Sequence, residues 1–205
     1  LLAMFTSHLL KMPHIKEAKR ERRHIQSLFE VTEQFNQFIL SIDANDIDEV
    51  NRLLSKYLID LFGFELGSFS LIEKGKMRIL PATINNPENT HYKETFDNFY
   101  SSHLFDLDIS ECANTTCIVQ RTPLYFNDVS KILHLPMSKY DREILNRLPE
   151  TKSIAYVPIV TGDKSTNTFG MWKFSDKGDL EEHQIQMLSS LCNYAGEVLI
   201  GSPKK

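Results

Sequence analysis

Cys112 and Cys117, five residues apart, are the first place where side chains of this chain could do chemistry. A thiol acts as nucleophile or redox centre only as an accessible thiolate; buried, it behaves as a small hydrophobe. The pair lacks CxxC spacing, and Cys192 leaves at least one cysteine unpaired, which points to a reducing compartment. Seven histidines are scattered without a His/Cys pair at ligand spacing. His103 and Asp106 stand three apart, in a segment without clear helical periodicity. Neither a GxSxG elbow nor a GxxxxGK[ST] phosphate loop is present. Asp179, Glu181 and Glu182 open the last helical pattern, where carboxylates favour the positive end of the helix dipole. Trp172, the sole tryptophan, alternates with Gly170 and Phe174 along a strand pattern and either fills core or walls a pocket.

The elements that must position these residues follow from periodicity. The 205 residues are 41% hydrophobic and 24% charged, enough for one large domain or one domain with an appendage. A net charge of -4 gives no basis for nucleic-acid binding. The opening LLAMFTSHLLKM is shorter than the ~20 apolar residues of a membrane span. It reads as an amphipathic helix or as the end of a membrane helix lying mostly upstream of residue 1. The basic cluster Lys16, Lys19, Arg20, Arg22 and Arg23 suits a cytoplasmic membrane flank or a solvated helix face. The initial Leu reads as a processed chain or a piece of a longer one.

Beyond Pro13, apolar residues at Ile25, Leu28, Phe29, Phe35, Phe38, Ile39 and Ile42 predict a long helix, whose partner is the domain's own sheet or a second copy. A second helix is expected over 47–62, ended by Gly63, then strands over 66–73 and 77–82 around Lys74-Gly75. Helices over 92–102, 114–120 and 140–148, a short strand at 124–126, strands over 153–160 and 168–175, and a helix over 180–200 complete the order. That order argues for an α+β fold: a central antiparallel sheet with helices on one side, plus a long N-terminal helix and a C-terminal helix. The domain spans 46–200, with a helical linker or dimerisation segment at 1–45 and a tail at 201–205.

Four segments in this order resemble a GAF domain. FGFELGSFSLIEKGKMRIL is similar to the family's first two strands, and CIVQRTPLYFNDV, with Pro123 and Asp128, to its helix-to-strand passage. TKSIAYVPIV resembles the strand after the variable loop, Pro158 included, and LEEHQIQMLSSLCNYAGEVL the closing helix. Proline inside a strand normally marks an edge or bulge; the family tolerates it there. Gln120-Arg121-Thr122 lacks the glycine usual before the central strand.

The resemblance implies a non-catalytic regulatory domain for signal transduction, a cytoplasmic sensor that binds a small ligand and forms a homodimer through its N- and C-terminal helices. It would pass the signal to an output domain outside this chain. The pocket is expected between the sheet and residues 105–140, lined by Phe69, Thr115, Thr116, Cys117, Asp128, Tyr156 and Trp172. The cofactor is left unknown. Of the family's cyclic-nucleotide signature, Lys173 and an acidic residue at Glu182 stand, while Trp172 and Leu180 replace its Asn and Phe. Ala113 and Ile118 follow the cysteines where a bilin-binding domain has His, which argues against a chromophore. Two alternatives are a structural dimerisation module with its cavity filled by Phe69, Tyr156 and Trp172, and an enzyme like the GAF-fold methionine sulfoxide reductases working through Cys112 and Cys117.

Overall fold

The computed structural model describes residues 26, 29–42, 46–161 and 164–201. The opening apolar run, the basic cluster, Ile25, Leu28 and the tail from 202 lie outside the described residues, as do the side chains at 161, 164–166, 200 and 201. The chain divides into two units, Leu1–Ser41 and Ile42–Lys205.

In the first unit, residues 29–41 form helix α1, the expected long helix. Its polar side is laced by an i,i+4 hydrogen bond from Gln37 to Glu33. Phe35 is buried, with its ring 6.3 Å from that of Phe38, while Phe29 and Leu40 are exposed.

The second unit opens with α2 (Ile47–Phe62), capped where the Asp46 carboxylate accepts the Glu49 N–H at 2.9 Å and closed by Gly63 in the left-handed region. There follow β1 (Leu66–Glu73), β2 (Lys76–Ile79), β3 (Thr83–Ile84), α3 (Thr90–Tyr100), β4 (Phe105–Asp106) and α4 (Ala113–Gln120). The chain continues through β5 (Leu124–Phe126), α5 (Lys139–Arg147), β6 (Ser153–Thr161), β7 (Lys164–Lys173) and α6 (Glu182–Gly201). The β1–β2 hairpin pairs Glu73 with Lys76, leaving Lys74 (φ 52°) and Gly75 (φ 79°) as a two-residue turn with both φ values positive. That geometry matches the right-handed twist of the strands.

The strands order as β4-β2-β1-β7-β6-β5, with β3 beside β1, and every pairing is antiparallel. The proline expected to trouble a strand finds its place here. β5 pairs only with Ile154 to Tyr156, so at Pro158 the outer edge of β6 calls for no backbone donor.

Alternation along the strands sorts the core into two layers. Phe69, Phe169, Val157 and Ile159 face α2 and α6; Phe69 and Phe169 stack at 4.5 Å, and a Cβ added at Gly196 of α6 would lie 2.2 Å from Ile159. Leu66, Ile154, Tyr156 and Trp172 face the other way, into a cluster with Phe96 and Phe99 of α3, Cys117 and Ile118 of α4 and Ile144 of α5. The α+β class and the antiparallel sheet are those expected from the sequence. The helices expected on one side are α2 and α6; the second face is covered in turn by the shorter α3, α4 and α5.

The apolar stripe of α6 runs inward. Leu188, Leu191, Cys192, Ala195 and Leu199 are fully buried where α6 packs on β6 and α2. It completes this chain's own core, and α6 leaves Gln186, Ser190, Tyr194 and Glu197 on its outer side. Among the described residues, no helix is long and apolar enough to cross a membrane.

Candidate functional site

On the α3–α5 side of the sheet, packing leaves a cavity of about 150 Å³. Its floor is Ile154 and Tyr156 of β6 and Phe126 of β5; one wall is Ala113 at the start of α4, and the opposite wall is Asp141, Ile144 and Leu145 of α5. The segment 132–137 borders its open mouth through Ile132, Leu135, Pro136 and Met137, with Leu135 and Pro136 exposed at the rim. Asp141 is the one charged residue in this lining.

Ser138 starts α5, its hydroxyl accepting the Asp141 N–H at 3.0 Å and donating to the Asp141 carboxylate at 2.9 Å. The same carboxylate reaches across to α4 and accepts the Ala113 N–H, at 3.1 and 3.0 Å from its two oxygens. Burial pushes the Asp141 carboxyl above its ordinary range, and the bonds from Ala113 and Ser138 pull against that. It lies at the positive end of α4, so one half-buried carboxylate joins two helices and also faces an apolar space.

Below the cavity, a polar chain ties α4 to the sheet. Thr168 donates from its hydroxyl to Asn114 Oδ1 at 2.9 Å and from its backbone N–H to Ser70 Oγ at 3.0 Å. Beside it stands an aromatic cluster: Trp172 packs edge-on to Phe96 at 4.4 Å and to Tyr156 at 5.9 Å. Burial raises the Tyr156 and Tyr100 phenols well above their ordinary value, and the neighbouring Tyr100 adds to the rise at Tyr156.

The residues expected to line the pocket separate into groups. Tyr156 lines the cavity. Trp172 fills core next to it, and Cys117 is buried within the same cluster. Thr115 and Thr116 turn their hydroxyls back on the chain, to the Cys112 carbonyl at 2.8 Å and the Ile109 carbonyl at 2.8 Å. Asp128 is absent from the lining; it binds Ser130 and Lys177, each at 2.6 Å, and the Lys177 ammonium, then the Ser130 hydroxyl, hold its carboxyl down at about 2. Phe69 points to the opposite face, because its odd register in β1 sends it towards α2.

The expected region 105–140 contains Ala113, Phe126 and the 132–137 segment without naming them, while Asp141 and Ile144 lie beyond it. Ser138-Lys139-Tyr140-Asp141 at the head of an amphipathic helix is a capping pattern that locates the start of α5, yet it gives no hint that Asp141 also reaches α4.

Other chemistry finds little footing. Burial pushes the Cys112 thiol up to about 12 and the Cys117 and Cys192 thiols up as well, so all three are neutral near pH 7. Among the described residues, no three His, Cys, Asp or Glu side chains are grouped to hold a metal ion. Lys173 pairs with Asp176 at 2.6 Å, outside the cavity. A larger concavity of about 560 Å³ lies by the start of α2, but its cations Arg52, Lys56 and Lys93 are engaged by Glu49, Asp60 and Asp97. It is a solvated surface groove.

A curled antiparallel sheet with helices on both faces and a cavity under its α4–α5 side defines an α+β domain. Residues 44–199 match the family profile for the GAF domain, and the chain belongs to that family. Among solved structures, it is similar to the GAF domain of a phosphoenolpyruvate-protein phosphotransferase from Acinetobacter, with a TM-score of 0.58 at 13% identity over 87% of this chain and 93% of that one. A methyl-accepting chemotaxis protein, residues 122 to 287, aligns at 0.58 and 18% identity over 81% and 94%. A type II free methionine-R-sulfoxide reductase from Thermoplasma acidophilum aligns at 0.54 and 13% over 78% and 95%. These likenesses concern the fold. Among curated proteins, none matches the chain.

Proposed function

We propose that this chain is a non-catalytic regulatory domain that senses a small molecule in the cavity between β6, α4 and α5 and passes the signal through its terminal helices to an output domain. The observation that carries the reading is the Asp141 carboxylate, which faces the cavity while bonded to the first amide of α4. A ligand touching Asp141 acts on the joint between two helices at once, and α4 is tied by Asn114 to β7. A shift there is transmitted to the sheet on which α6 packs. Membership of the GAF family and likeness in fold to signalling proteins, such as the chemotaxis protein above, support the sensor role. Three free cysteines support work in the cytoplasm.

Native mass spectrometry of the purified protein beside an Ile144→Phe variant tests the reading. A bound small mass lost in the variant supports it. Identical spectra without added mass, together with methyl resonances that no small molecule perturbs, favour a structural module instead. The neutral thiols oppose a reductase; sulfoxide turnover abolished by double Cys112→Ser, Cys117→Ser replacement would overturn the non-catalytic reading.

The homodimer is proposed through α1, whose exposed Phe29 and Leu40 stand eleven residues apart, about three helical turns, on one face.

A further inference from the structure

We infer that the cavity takes an uncharged single-ring molecule bearing one hydrogen-bond donor, a phenol in chemical class, and excludes cyclic nucleotides. This rests on the reading of the cavity as the sensing site and goes further by fixing its ligand chemistry from size, lining and donor count.

Size comes first. A cavity of about 150 Å³ matches apolar protein cavities that hold a benzene-sized guest. A purine with a fused ribose phosphate is far larger. Its phosphate would also meet Asp141, and the lining contains no Lys or Arg to receive it. Anionic ligands are refused on the same ground.

The lining then sets polarity. Ile132, Ile144, Leu145, Ile154 and Phe126 present hydrocarbon, which rewards burial of a ring at about 25 cal/mol per Å². The aromatic residues Phe126 and Tyr156 in the lining offer further contacts for a ring.

Donor count decides the last feature. A carboxylate has about four acceptor sites. Asp141 receives only the Ala113 N–H, shared between its oxygens, and the Ser138 hydroxyl. One acceptor site remains for a guest. A phenol O–H matches it, whereas an ammonium brings three N–H donors into a space with one acceptor, and unmet buried donors are costly. Benzene fills the space but leaves the site unused. The hydrogen bond to a charged acceptor predicts roughly tenfold tighter binding of phenol than of benzene.

The test is an NMR titration of the 205-residue chain carrying labelled isoleucine methyls, with phenol, benzene, benzylamine, cyclic GMP and xenon as separate probes. Ile132, Ile144 and Ile154 report the cavity; Ile59 and Ile159, on the other face of the sheet, serve as controls. The proposal expects saturable phenol shifts confined to the first three, about tenfold weaker binding of benzene, and none from cyclic GMP. Benzene equal to phenol, or tighter binding of benzylamine or cyclic GMP at these methyls, overturns the ligand class while leaving a sensing cavity. Silence of the three methyls to every probe, xenon included, overturns the sensing reading itself. An Ile144→Phe variant should lose the phenol shifts at Ile132 and Ile154; retention of them places the ligand elsewhere and overturns the proposal.

Discussion

Both oxygens of the Asp141 carboxylate in α5 stand within 3.1 Å of the Ala113 amide nitrogen, the first of α4, so the two helices share one half-buried carboxylate. Neither helix is long: α4 has 8 residues and α5 has 9. Isolated helices of that length are marginal in water, so the joint matters more than it would between longer elements. Replacing Asp141 by Ala leaves the Ala113 N–H and the Ser138 hydroxyl without this acceptor. The expected cost is about 1–3 kcal/mol in urea unfolding. A loss within the error of the measurement would show that the joint contributes nothing.

The same carboxylate has a pH signature opposite in sign to that of Asp128. Burial raises the Asp141 carboxyl, so the folded state binds its proton more readily than the unfolded chain, whose value is about 3.9. Its contribution to stability is therefore full at low pH and falls as pH rises from about 4 through the raised folded value. Asp128 is held down at about 2 by Lys177 and Ser130, so its contribution is present above about 4 and lost as pH falls towards 2. Stability measured against pH for Asp128→Asn should lose the acid-side decline; for Asp141→Asn it should lose the decline above pH 4. Carboxyl carbon titrations by NMR that place both groups at ordinary values would refute both signs.

Much of this arrangement was legible in the sequence, and the reasons are local. Gly63 and the Lys74-Gly75 turn are set by backbone rules acting over a few residues. The inward stripe of α6 follows from its spacing, although spacing alone leaves open whether the stripe meets the sheet or another copy. The cavity was less legible. It depends on which of two faces each strand residue takes, a matter of register across β1, β7 and β6 that the pattern of nearly continuous apolar residues conceals. Phe69 and Trp172 are both apolar strand residues, yet register sends them to opposite sides. Asp141 was hidden for another reason: its partner Ala113 is 28 residues away, and no local pattern encodes that contact.

Phe69 tests the face assignment directly. It is fully buried against Phe169 on the α2 side. Phe69→Ala is expected to destabilise the protein by about 3–5 kcal/mol while leaving phenol shifts at Ile132 and Ile144 unchanged wherever the variant stays folded. A change in those ligand shifts larger than the change at Ile59 would place Phe69 at the cavity after all.

The cysteines give a chemical readout of burial. Cys112, Cys117 and Cys192 are inside the fold, and burial keeps each thiol protonated at neutral pH. A thiol reagent at pH 7 should label the native protein orders of magnitude more slowly than the same chain in urea, since only the accessible thiolate reacts. Rapid labelling of Cys112 or Cys117 in the native state would reopen the reductase reading, because that chemistry needs the same accessible thiolate.

Dimerisation separates α1 from α6. The α6 residues Leu188, Leu191, Ala195 and Leu199 are fully buried within the chain, so charge placed among them should unfold the domain. Phe29 is 70% exposed and Leu40 79% exposed, so charge there should leave the fold intact. If a second copy packs on α1, Phe29→Glu with Leu40→Glu shifts the protein from dimer to monomer in sedimentation at micromolar concentration, with thermal unfolding of the domain unchanged. A wild-type protein that sediments as a monomer, or a dimer that survives both charges, would remove α1 from the interface. Tyr194, 46% exposed on the outer side of α6, would then be the next position to charge, because it is the large aromatic that this helix keeps out of its own core.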